Sequence, residues 1–289
     1  MKIGVLGNCQ SGGWTNSFAA LVPDAQMVSV RLDEMQAEAD RTPENYERLA
    51  AQLADCDIVF SMFVGSDRGP LATERLKEKC RTVYVLPVVG FHGFFPDSVY
   101  VFDSTGRMVN SAVGAYNSAL TLACFLEGIP PERAYRLFNA YVFAELGYFD
   151  VYATERELLI RRWTEIGYDA EEAFAASPSK FMHTINHPSI GMLYTVARQA
   201  LRLAGVPTVA TPTLPEDTLG CYNIWPIYPV LADRLGLCGS ELFQINLQRT
   251  IDLKEMILGS YKKYAECSDI IPPAAVEKAR EFLRAEVSR

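Results

Sequence analysis

At 289 residues the chain can bury one large core or two modest ones, and its composition (49% hydrophobic, 21% charged) is that of a globular protein. A formal charge of −8 speaks against nucleic acid or an anionic membrane as partner, since both call for a basic field. Seven cysteines without a C-x-x-C pair, no basic leader and no apolar run near the roughly 18 residues of a membrane span read as a cytoplasmic protein with reduced thiols.

The first hundred residues alternate strand and helix. Met1–Leu6 reads as a buried strand, followed by a helix near 14–21, a strand near Gln26–Val30 and a polar helix from Pro43 to Leu53. Asp57–Met62 is the next strand, Pro70–Lys79 a helix and Thr82–Pro87 another strand. This alternation predicts an α/β fold with a parallel sheet and helices on both its faces. From about residue 111 the pattern turns helical: Ala112–Glu127, then 132–146, 150–167, 188–204, 227–236, 247–265 and 273–287. The expectation is a single domain, 1–289, with a sheet portion at 1–108 and a helical portion at 109–289. A Pro/Thr-rich stretch between Gly205 and Pro226 has no period, which is common in binding segments.

Ligands of open parallel sheets bind beyond the carboxyl ends of the strands. The first strand runs into Gly7-Asn8-Cys9-Gln10, which puts a thiol at a strand-to-helix turn where free amides and the helix dipole favour negative charge. Such amides can also hold an oxyanion, and the Gly65 amide after the third strand is a candidate second donor. The remaining need is a base, and the chain has three histidines: His92, His183 and His187. The spacing of His183 and His187 lacks the glutamate of zinc proteases, Thr184 standing there, and no metal is expected. Pro188 reads as the first turn of a helix, which puts a neutral His187 at the helix entrance as general base. Gly12-Gly13 read as close helix–strand packing, Phe91–Phe95 as core, and Trp225-Pro226 as a packed helix entry. Gly4, Gly7, Gly12 and Gly13 do not spell a dinucleotide fingerprint, although Asp33 lies at a suitable distance for a ribose contact.

Taken together, GNCQ at 7–10, Phe95-Pro96-Asp97, Asn186-His187-Pro188 and Trp225-Pro226 with Leu235-Gly236 resemble the WcbI-type polysaccharide biosynthesis proteins over about residues 1–240. The resemblance implies a coenzyme A-binding acyltransferase that moves acetyl onto a sugar hydroxyl of a capsular or surface polysaccharide precursor. The arrangement is also similar to SGNH hydrolases and O-acetyltransferases, with Cys9 in place of their serine and His187 in place of their base, and this likeness implies a parallel sheet of flavodoxin- or SGNH-like order. Their aspartate ahead of the histidine is missing here, where Thr184 and Ile185 stand. Asn117, in Tyr116-Asn117-Ser118, occupies a place where the family often has histidine.

On this reading acetyl-CoA is the acyl donor and a saccharide the acceptor, and Cys9 and His187 carry the chemistry. Gly7, Asn8, Gln10, Gly65, His92, His183 and Asn186 would serve oxyanion and substrate binding. Lys180, Arg198 and Arg202 would meet the phosphates, the two arginines sharing a helix face. A cysteine esterase or deacetylase and a non-catalytic CoA or nucleotide-sugar binder are the rival readings. The helices after residue 247 could pack on the core or pair subunits into a homo-oligomer.

Overall fold

The computed structural model describes residues 1–32, 41–211 and 213–287. Asp33 therefore lies outside the described residues. The chain groups into two compact units, each assembled from discontinuous segments. The first comprises 1–90, 158–182 and 186–220; the second comprises 91–157, 183–185 and 221–289. The segments thus interleave, where the sequence suggests one change of texture near residue 108.

The first unit is built on four parallel strands, β1 (Lys2–Gly7), β2 (Gln26–Arg31), β3 (Ile58–Met62) and β4 (Val83–Leu86), in the order β2-β1-β3-β4. This is the expected α/β architecture. Strand β1 is central and Ile3, Val5 and Leu6 are fully buried, which explains its apolar run. Gly4 has no room for a side chain, because a Cβ there would meet Leu53, Cys56 and Val59 at 3.0–3.2 Å. Helices α1 (Ser11–Leu21), α2 (Pro43–Ala54) and α3 (Thr73–Lys79) connect the strands. Helix α2 starts where Thr42 accepts from the Asn45 amide at 3.2 Å, one residue ahead of Pro43. The predicted helix at Pro70–Lys79 is split: a 3₁₀ segment, Ser66–Leu71, precedes α3.

The second unit carries α4 (Ala119–Leu126), α5 (Pro131–Arg136) and α6 (Ala140–Glu145). The predicted helix from Ala112 begins only at Ala119, because Gly114 adopts φ +68° and closes a turn with Ser111. Ser118 then caps α4 by accepting from Thr121. The predicted helix at 132–146 is two helices for the same kind of reason: Asn139 caps a new start, accepting from Val142 at 3.1 Å.

Helix α7 (Val151–Glu165) leads the chain back into the first unit, which also holds α8 (Ala170–Ala176) and α9 (Ile190–Leu203). The second unit closes with α10 (Pro229–Leu235), α11 (Leu253–Ala265) and α12 (Ala274–Val287). Ahead of α11 a short hairpin pairs Phe243–Ile245 with Arg249–Ile251, where sequence periodicity suggests helix from 247. Among the described residues no helix is long and apolar enough to cross a membrane.

The Phe95-Pro96-Asp97 segment of the second unit ends in a fully buried carboxylate. Asp97 accepts from the hydroxyls of Tyr148 (3.0 Å) and Tyr228 (3.1 Å), from the Leu120 amide (2.9 Å) and from Ser118. Burial pushes its pKa up against these four donors. Trp225 packs edge-on against Phe243, and Asn117 donates to the carbonyls of Val109 and Ala115 while accepting from Tyr264. These motif residues are core fasteners of the second unit.

Candidate active site

In the sheet order β2-β1-β3-β4 the chain leaves β1 toward one side and returns to the other, so the crevice for a ligand opens beyond the ends of β1 and β3. The Asn8–Gln10 turn occupies that place. Asn8 organises it: its side-chain oxygen accepts from the Gln10 amide at 3.0 Å, and its carbonyl accepts from the Ser11 amide (3.0 Å) and hydroxyl (2.8 Å). This leaves the Asn8 side-chain N–H₂ as the part of it suited to a ligand. Cys9 is half-buried at the apex, directly ahead of α1. Cys56, Cys80 and Cys124 are instead buried, and burial pushes their thiols up, that of Cys124 to about 12. They are small core residues.

Gln10 departs from its expected role. It is 1% exposed and its carboxamide nitrogen donates to two carbonyls, that of Val89 at 2.7 Å and that of Asn186 at 2.9 Å. Both N–H bonds are thereby committed, so the side chain is not an oxyanion donor. The bonds fasten the loops after β1 and β4 to the segment that carries His187.

That segment differs from the predicted helix start. Helix α9 begins at Ile190 rather than Pro188, and His187-Pro188 is extended. His187 is buried at 9% exposure, three residues ahead of the first helical residue, where the dipole acts weakly. Ser189 donates its amide to Phe181 at 2.8 Å, and the first amide of α9, Ile190, is capped by Asp217 at 3.1 Å. Asp217 comes from the Pro/Thr-rich stretch and also accepts from Gly220 at 3.1 Å. Sequence reasoning singled out that stretch but not this residue, whose signal is an acidic side chain opening a D-T-L-G turn.

Helix α1 meets α9 at Gly13. A Cβ there would lie 2.4 Å from Leu193 and 3.6 Å from Ile190, whereas one on Gly12 would touch only Thr218, at 3.6 Å. The expected helix–strand packing is thus helix–helix packing, confined to the second glycine. It seats the Cys9 turn beside the first turn of α9.

Gly65 follows β3 and opens the 3₁₀ segment, its carbonyl accepting from Arg68 at 3.2 Å. Its loop is held by Val64 and Thr73, which exchange bonds of 2.8 and 3.0 Å. Strands β1 and β3 run parallel with Leu6 beside Ser61, so the Gly65 loop leaves the sheet at the same edge as Gly7.

Lys180 lies near the other end of the bracket closed by Phe181 and Ser189, and burial lowers its pKa to about 8. Arg198 and Arg202 do share a helix face, but both guanidiniums pair with Glu172, at 2.9 and 2.8 Å, on the surface. Three charged groups there sum to a single positive charge, which makes a weak phosphate seat. His92 and His183 belong to the second unit. His92 is exposed beside Glu155, 3.8 Å from its Nδ1, and the His183 carbonyl accepts from the Trp225 amide. Among the described residues no group of three or more His, Cys, Asp or Glu side chains could hold a metal ion.

The sequence profile of the polysaccharide biosynthesis enzyme WcbI matches residues 2–209. The chain belongs to the WcbI family. A solved WcbI structure superposes with a TM-score of 0.72 at 14% identity, covering 98% of this chain and 94% of that one. At that identity the likeness is one of fold. That protein is described as a novel polysaccharide biosynthesis enzyme, in its native form without a disulfide bond between CoA and one of its cysteines. No curated protein matches the chain. WcbI membership agrees with the resemblance carried by GNCQ and Asn186-His187-Pro188, both inside the matched region.

Proposed function

We propose that this WcbI-family enzyme is a CoA-dependent O-acyltransferase that transfers acetyl to a sugar hydroxyl during capsular or surface polysaccharide synthesis, working in the cytoplasm through Cys9 and His187. The observation that carries the reading is the Gln10 side chain bonded to the Asn186 carbonyl at 2.9 Å, since each is the chain neighbour of one reactive residue. His187 takes the proton of the Cys9 thiol, and the thiolate sulfur attacks the thioester carbonyl. The amides of Cys9 and Gly65, with the Asn8 side-chain N–H₂, stabilise the oxyanion. The tetrahedral adduct expels the thiolate of CoA, which takes the proton from His187. His187 next deprotonates the sugar hydroxyl, whose oxygen attacks the acyl carbon; the ester forms and the Cys9 thiolate leaves.

Lys180 is the cation best suited to a CoA phosphate, because it adjoins Phe181, which holds the Ser189 amide beside His187, and a bound anion would favour its charged form against the effect of burial. The relative named for CoA and a cysteine supports the donor, though the acceptor rests on the family's role in polysaccharide synthesis.

The test is mass spectrometry of the protein after brief incubation with acetyl-CoA and no acceptor. An acetyl group on the Cys9 peptide, absent in Cys9→Ser and formed slowly in His187→Gln, is expected. A Cys9→Ala variant that transfers acetyl at the wild-type rate would refute the covalent route.

A further inference from the structure

We propose that Gln10 is a positioning residue: its carboxamide, clamped between the carbonyls of Val89 and Asn186, sets the spacing of the Cys9 turn and the His187 segment. The inference deepens the functional reading above and rests on it. Three observations lead to it. The two bonds, at 2.7 and 2.9 Å, reach across 79 and 176 residues of sequence, so a single side chain ties together three loops that no local structure would join. The orientation of the amide is forced, because turning it over would set its oxygen against two carbonyl oxygens. The Oε1 atom is itself buried and accepts no hydrogen bond among the described residues. A buried idle acceptor destabilises a fold, and proteins keep such features where function needs the geometry.

Only a glutamine meets these demands. Glutamate offers a carboxylate to two carbonyls and repels both. Asparagine keeps both N–H bonds but is one methylene short of bridging the same carbonyls. A displacement of ~1 Å between reacting groups is enough to cost roughly a hundredfold in rate.

The experiment compares wild type, His187→Gln, Gln10→Glu and Gln10→Asn. Alkylation of Cys9 by iodoacetamide is followed by peptide mass spectrometry from about pH 5 to pH 9, where an imidazole partner changes thiolate content. The thermal midpoint of each variant reports folding; should Gln10→Glu fail to fold, the milder Gln10→Asn decides. Wild-type Cys9 is expected to react at lower pH than in His187→Gln, and both Gln10 variants to fall onto the His187→Gln profile. In acetyl transfer kcat drops roughly a hundredfold while KM for acetyl-CoA stays within about twofold. A folded Gln10→Asn or Gln10→Glu protein that keeps the wild-type alkylation profile overturns the proposal. Coincident profiles for wild type and His187→Gln would instead defeat the Cys9–His187 reading. Hydrogen exchange then decides the clamp alone: peptides covering 88–90 and 186–190 exchange faster in Gln10→Asn if it exists, and unchanged exchange in both overturns it.

Discussion

Replacing each of the two adjacent glycines of α1 by alanine should move stability in opposite directions. At Gly13 the new Cβ lies 2.4 Å from Leu193 Cδ1, more than an ångström inside ordinary carbon–carbon contact. Leu193 is 1% exposed and packed, so it cannot swing aside freely. Overpacking of this kind costs about 1–3 kcal/mol, against a helix-propensity gain of about 0.5–1 kcal/mol. The net loss for Gly13→Ala is therefore on the order of 1–2 kcal/mol. At Gly12 the nearest atom, Thr218 Oγ1, is 3.6 Å away, so Gly12→Ala keeps the propensity gain of up to about 1 kcal/mol. For a protein of this size the two variants should differ by at least about 2 °C in thermal midpoint. Calorimetry and urea denaturation measure the difference. Adding Leu193→Ala to Gly13→Ala should cost less than the two changes summed, because the clash disappears with the leucine. A Gly13→Ala protein as stable as Gly12→Ala would refute the close approach of α1 and α9.

Asp97→Ala strands two tyrosine hydroxyls, a serine and the Leu120 amide in the core and should cost about 2–4 kcal/mol by urea denaturation. Because burial raises the Asp97 pKa, the stability of wild type relative to Asp97→Asn is greatest below the ordinary aspartate range and falls as pH rises through the folded-state pKa. Lys180 has the opposite linkage: its pKa is depressed to about 8, so its burial penalty is largest below that pH and fades as pH rises toward the ordinary lysine range, a slope that Lys180→Met should abolish in pH-dependent denaturation. Arg202→Ala removes an exposed ion pair with Glu172 and should cost less than about 1 kcal/mol in the same measurement, less still in high salt.

The alternation of β1–β4 with α1–α3 is legible because it rests on local patterns: apolar runs of strand length, Pro43 in a first helical turn, glycines at strand ends. The Gly7-Asn8-Cys9-Gln10 turn is legible for the same reason, since Asn8 builds it from neighbours two and three residues away. The late start of α4 and the break at Asn139 are also written locally, in Gly114 and in two capping side chains, but the apolar periodicity that runs across both positions masks them.

Other features have no local signature. That Gln10 holds two carbonyls rather than an oxyanion depends on partners 79 and 176 residues distant. That Gly13 rather than Gly12 meets a neighbour depends on where α9 crosses, and that Arg198 and Arg202 are already paired depends on Glu172 in another helix. Backbone turns and periodic elements are legible in the chain itself, because they follow from interactions within a few residues. What each polar group is bonded to emerges only on folding, because the folded chain satisfies its buried donors and acceptors across any sequence separation.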